Sequence, residues 1–119
     1  MLKVLIVDDE PMITYLFSRY LESAGFVTAE AHSATAALDL LETFDADLLI
    51  TDRQMDGMDG DGLIAAVSGL YPGLPTILVS GDNTGVYPPP KSSHFLPKPV
   101  APSTLIDLTT MLIGRPTPT

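Results

Sequence analysis

Three aspartates, a serine and a lysine stand where apolar runs of this sequence end. Asp8 and Asp9 close the run Lys3-Val4-Leu5-Ile6-Val7, and Asp52 closes Ala46-Asp47-Leu48-Leu49-Ile50-Thr51. Ser80 ends the run beginning at Pro75, and Lys98 follows His94-Phe95-Leu96-Pro97. Carboxylates brought together oppose one another's ionisation. A cation removes that conflict. An all-oxygen set suits a hard divalent ion, and Mg²⁺ characteristically takes one or two carboxylates, keeps waters and binds a phosphate oxygen. Asp8, Asp9 and Asp52 therefore read as a Mg²⁺ site, with Mn²⁺ as a substitute. Ser80 and Lys98 extend the chemistry towards phosphoryl groups. A carboxylate attacking phosphorus works against charge repulsion, so a metal and an ammonium must neutralise the phosphoryl oxygens. Gly81 leaves space beside the Ser80 hydroxyl. Glu10, just before Pro11, reads as a helix cap and not as a ligand.

These residues share one edge only if the runs that carry them are parallel strands. Five short apolar runs alternate with segments of helical period, the pattern of βαβ units and a parallel sheet covered on both faces. Ligands of such sheets bind outside the carboxyl ends of the strands. The first and third runs read as buried central strands. Val27 to Ala31 is a weaker second strand, Pro75 to Ser80 a fourth, and His94 to Leu96 a fifth, placed at an edge by Pro97 and Pro99. The first helix carries Met12 or Ile13, Leu16, Phe17, Tyr20, Leu21 and Ala24, between Pro11 at its start and Gly25 past its end. Ser33 caps a second helix with the stripe Ala34, Ala37, Leu38 and Leu41. Leu63, Ile64, Val67, Leu70 and Tyr71 form a third stripe, and Leu105, Leu108 and Leu112 a last one after Pro102-Ser103. Residues 81–93 break the pattern, with Gly81, Gly85 and the run Pro88 to Pro90, and disfavour a full helix. The expected domain is 1–113, with a disordered proline- and threonine-rich tail over 114–119.

A chain of 119 residues accommodates one such domain. Fifteen acids against six bases give a net charge of −9, which repels phosphate backbones and anionic membranes and argues against direct nucleic-acid binding. No apolar stretch approaches a membrane span. With no cysteine and no basic segment before the first strand, the expectation is a cytoplasmic protein without disulfides.

The motifs Val7-Asp8-Asp9-Glu10-Pro11, Asp52 followed by Met55 and Met58-Asp59-Gly60, Ser80-Gly81 and Lys98-Pro99 occur in order, each on the element that suits it. Over Lys3 to about Ile113 the sequence resembles a response-regulator receiver domain of two-component signalling, and within that family stand-alone receivers whose fourth helix is eroded. The resemblance implies a flavodoxin-like doubly wound α/β fold with strand order 2-1-3-4-5. It implies a phosphoacceptor at Asp52, Mg²⁺ ligation by Asp8, Asp9, Asp52 and the backbone carbonyl of Gln54, and Lys98 paired with the acceptor. It also implies that Ser80 moves to the phosphoryl group and that Phe95 is the aromatic switch. Partners would be a sensor histidine kinase or histidine phosphotransfer protein and an unidentified output protein, with the chain a monomer or weak dimer and no enzyme beyond self-phosphotransfer and autodephosphorylation. Gln54 and Asp82, two residues after the acceptor and after Ser80, are placed to tune attack of water on the aspartyl phosphate. Phosphorylation is expected to order residues 81–95.

Two departures stand beside the acceptor: Arg53 where the family usually has an apolar residue, and Asp56 where it usually has proline. The Ser80 to Lys98 spacing is also short. The main alternative is a pseudo-receiver that docks without phosphorylation, against which the full set Asp52, Asp9, Ser80 and Lys98 argues. An aspartyl-nucleophile phosphatase would want an acid at position 54 and a cap domain. A small flavodoxin-like binding protein would want glycines where Asp8-Asp9-Glu10-Pro11 stands.

Overall fold

Alternation of side chains along the first strand sets the layering. The computed structural model describes residues 1–81, 88–90 and 93–116. In β1 (Lys3–Val7), Val4 and Ile6 enter one core layer while Leu5 and Val7 enter the other. Strands β2 (Val27–Ala31), β3 (Leu48–Asp52), β4 (Thr76–Ser80) and β5 (Ser93–Pro97) join it in a parallel sheet of order β2-β1-β3-β4-β5. The chain is thus a flavodoxin-like α/β fold, with β5 at an edge as its prolines require. Helices α1 (Pro11–Ser23) and α4 (Pro102–Ile113) cover one face through Phe17, Leu21 and Leu105. Helices α2 (Ala34–Leu41) and α3 (Gly60–Leu70) cover the other through Ala34, Ala37, Leu41, Leu63 and Val67. Both β3 and β4 are buried throughout, so they read as continuous apolar runs and not as alternating ones.

The helix punctuation follows the sequence reading. Pro11 and Pro102 open α1 and α4, Ser33 Oγ accepts from the Ala36 N–H at 3.0 Å, and Gly25 has φ +96° just past α1. Three details differ. Met12 is 65% exposed, so Ile13 takes the inward position, and Leu70 at the end of α3 is 66% exposed, outside its expected stripe. The inner face of α1 also holds Thr14 and Ser18, which a reading of apolar periodicity passes over. Thr14 tolerates burial because its hydroxyl donates to the Pro11 carbonyl at 3.0 Å and lies 3.1 Å from His32 Nε2. The expectation for 81–93 falls largely outside the described residues, and that for the tail partly so; α4 ends at Ile113.

Helix α3 begins hard against the end of β3. The Gly60 N–H donates to the Arg53 carbonyl at 2.9 Å, and a Cβ on Gly60 would collide with the Asp52 carbonyl oxygen and come within 2.9 Å of Arg53 Cα and Leu78 Cδ1. Only glycine permits that approach. Asp59 caps the helix, its Oδ1 accepting from the Gly62 N–H at 2.8 Å.

Candidate functional site at the carboxyl edge of the sheet

Strand pairing brings the acidic ends together. Val7 lies opposite Thr51, Asp52 opposite Val79, and Ser80 opposite Pro97, so Asp8, Asp52, Ser80 and Lys98 occupy one edge. The Lys98 N–H continues the ladder by donating to the Ser80 carbonyl at 2.8 Å, and the Lys98–Pro99 peptide is cis. Carboxylate oxygens of Asp8, Asp9 and Asp52 all lie within 4.8 Å of one another. Asp8 and Asp52 are buried and Asp9 is exposed. Lys98 Nζ stands 3.0 Å from Asp52 Oδ1. That leaves an Asp52 carboxylate with one oxygen facing an ammonium and with two carboxylates as neighbours.

The electrostatics reflect this crowding. The Asp8 carboxyl stands raised to about 6: burial raises it most, the Glu10 N–H that it accepts at 2.9 Å and the Lys98 charge lower it, and the charges of Asp52 and Asp9 raise it. Burial pulls the Lys98 ammonium down, but its hydrogen bond to Asp52 and the charges of Asp52, Asp8 and Glu10 outweigh that, and its pKa stands raised. Three carboxylates whose oxygens lie this close, one of them with its ionisation opposed by burial and by its neighbours, fit a hard divalent cation.

Glu10 does not act as the cap that the sequence suggests. It occupies the N-cap position of α1 without a side-chain cap bond, and its own N–H donates to Asp8 Oδ1. The substitution of Asp56 for the family's usual proline also has a structural meaning: its N–H donates to Asp9 Oδ2 at 3.3 Å, a bond no proline makes. Gln54 lies exposed in the loop after β3, and that loop and Asp9 line an open cleft of about 560 Å³. Ser80 is buried at the end of β4, and Phe95 is half-buried opposite Leu78. Asp82 and most of the segment expected to order on phosphorylation lie outside the described residues.

Arg53 was legible only as a departure, and the structure gives it partners. It is buried, its Nε and Nη2 donate to Asp61 Oδ1 and Oδ2 at 2.8 and 2.9 Å, and Nη2 also donates to the Pro88 carbonyl at 2.9 Å. Asp61 stands in the first turn of the helix that follows, but nothing in the sequence marks Arg53 as buried or pairs the two.

The sheet order and the acidic edge are shared with a known family, as three comparisons show. The sequence profile of the response regulator receiver domain matches residues 4–110. The transcriptional regulatory protein GlrR of Escherichia coli (strain K12) is 36% identical over 77 residues, 65% of this chain and 17% of that protein. The sensor kinase CckA of Brucella abortus is 32% identical over 102 residues, 81% of this chain and 11% of that protein. Among solved structures, the chemotaxis protein CheY4 of Vibrio cholerae superposes with a TM-score of 0.85 at 26% identity, over 94% of this chain and 98% of that one. This chain belongs to the response regulator receiver domain family of two-component signal transduction. It spans under a fifth of the length of the curated relatives it matches.

Proposed function

We propose that this domain accepts a phosphoryl group on Asp52 from a phosphohistidine donor, with Mg²⁺ bound, and thereby changes how it engages a partner. The observation that carries the proposal is the buried Asp52 carboxylate with Lys98 Nζ 3.0 Å from one oxygen and Asp8 and Asp9 beside it. One Asp52 oxygen remains available as nucleophile while Lys98 offsets charge on the incoming group. Asp8, Asp9, Asp52 and the carbonyl of Gln54 would hold Mg²⁺, which supplies charge neutralisation at phosphate oxygens. Ser80 would donate to the phosphoryl group, and Gln54 would stand over the path of the attacking water, a role in which Asp82 would share. The domain proposed is residues 1–113.

Partners follow from this chemistry: a histidine kinase or phosphotransfer protein upstream and an output protein downstream. GlrR is a transcriptional regulatory protein, but the match covers 17% of it, and the net charge of −9 argues against this chain touching DNA phosphates itself. No helix among the described residues is long and apolar enough to cross a membrane, which accords with a cytoplasmic site of action. Incubation with acetyl phosphate and Mg²⁺ followed by intact mass tests the proposal. A single phosphoryl increment is expected, lost with EDTA and in Asp52→Asn. An unmodified wild-type chain would refute it.

A further inference from the structure

Arg53 follows the acceptor directly, and its backbone is fixed on both sides. Its N–H donates to the Val79 carbonyl at 2.9 Å, and its own carbonyl accepts from the Gly60 N–H at 2.9 Å. The side chain leaves this frame, grips Asp61 with two parallel bonds and reaches the Pro88 carbonyl in the connection between β4 and β5. Bidentate pairs of this kind set geometry as well as energy, and a buried guanidinium makes them costly to break. Pro88, Pro89 and Pro90 have restricted φ, and the Ser93 N–H and hydroxyl both donate to the Pro90 carbonyl, at 3.0 and 2.7 Å. Ser93 opens β5, two residues before Phe95. A continuous chain of bonded groups therefore runs from the residue next to Asp52, through the Arg53–Asp61 pair, to the start of the strand that carries Phe95.

We propose that Arg53 is a positioning residue that couples the state of Asp52 to strand β5, acting through Asp61 and the Pro88–Pro90 run. The inference rests on the phosphoacceptor reading above. A change at Asp52 that shifts its own peptide link moves the Arg53 backbone, and the guanidinium carries that shift to Pro88. The cost of such a coupling is specificity: lysine in place of Arg53 keeps the charge but offers no planar fork for Asp61.

The test uses the full chain labelled with fluorophenylalanine, with Phe95 assigned among the four phenylalanines through Phe95→Leu. Beryllofluoride with Mg²⁺ serves as the phosphoryl probe, and its own bound ¹⁹F signal reports occupancy separately from the Phe95 signal. In wild type both a bound signal and a Phe95 shift are expected. In Arg53→Met the bound signal should persist while the Phe95 shift falls by about threefold or more, in the range by which network residues alter coupling. Asp61→Asn should produce the same loss, the double variant no further loss, and Arg53→Lys an intermediate response. Should Arg53→Met fail to fold, Asp61→Asn carries the same test. A purely structural role for Arg53 would lower the melting temperature and leave the Phe95 shift intact. An undiminished shift in either single variant, additive losses in the double variant, or a wild-type Phe95 that ignores bound probe overturns the proposal. Absence of a bound signal in wild type would instead refute the phosphoacceptor reading on which it depends.

Discussion

At the scale of single residues, Asp8 shows how crowded the acidic edge is. Its carboxyl is raised to about 6 chiefly by burial, so the folded chain binds that proton more tightly than the unfolded one. The stability conferred is complete below about pH 4 and lost as pH rises through about 6. In EDTA, Asp8→Asn removes this penalty and should gain about 2–3 kcal/mol on wild type between acid and neutral pH. Urea titrations of both proteins at acid and neutral pH measure it, and a pH-independent difference would assign the crowding elsewhere. Gln54 is exposed beside the site. Gln54→Ala should change the decay rate of the phosphorylated chain several-fold without preventing phosphorylation. Intact-mass time courses after removal of the donor read that rate, and an unaltered decay places the water path elsewhere. The site aspartates, Ser80 and Lys98 were legible in the sequence because charged residues at the ends of buried strands have few structural reasons to cluster. The partners of Arg53 were not, since they depend on how the loop after β3 and the chain around Pro88 fold back.

At the scale of elements, the alternation of strands and helices carried most of the architecture. Buried central strands are unmistakable when every residue from Leu48 to Ile50 and Ile77 to Val79 is apolar. Boundaries were less legible: β5 runs from Ser93 to Pro97, beyond its apolar residues, because pairing with β4 holds it. Helix α3 offers two glycines with opposite expected effects. Gly60→Ala forces a methyl into the Asp52 carbonyl and should destabilise the domain by about 1–3 kcal/mol. Gly69→Ala meets nothing within 4 Å and should stabilise by about 0.5–1 kcal/mol. Denaturant midpoints of the two variants check both signs, and equal effects would mean that the close approach at Gly60 is relieved by movement of the helix.

At the scale of the whole molecule, the proposed Mg²⁺ site would link metal binding to folding. A ligand that binds only the folded chain stabilises it by RT ln(1 + [L]/Kd), so millimolar Mg²⁺ should raise the melting temperature in proportion to its logarithm once above Kd. Asp9→Asn should abolish the shift. An equal shift in that variant would detach the metal from these carboxylates. The claim on which everything else depends is that the phosphoryl group goes to Asp52 and not to another acid of the cluster. It is tested most directly by trapping: chain treated with acetyl phosphate and Mg²⁺ is reduced with borohydride, which converts an aspartyl phosphate to homoserine, and is then mapped by peptide sequencing. Homoserine at position 52 alone is the predicted result. Homoserine at Asp8, Asp9 or Asp56, or none in chain fully exposed to donor and Mg²⁺, would contradict it.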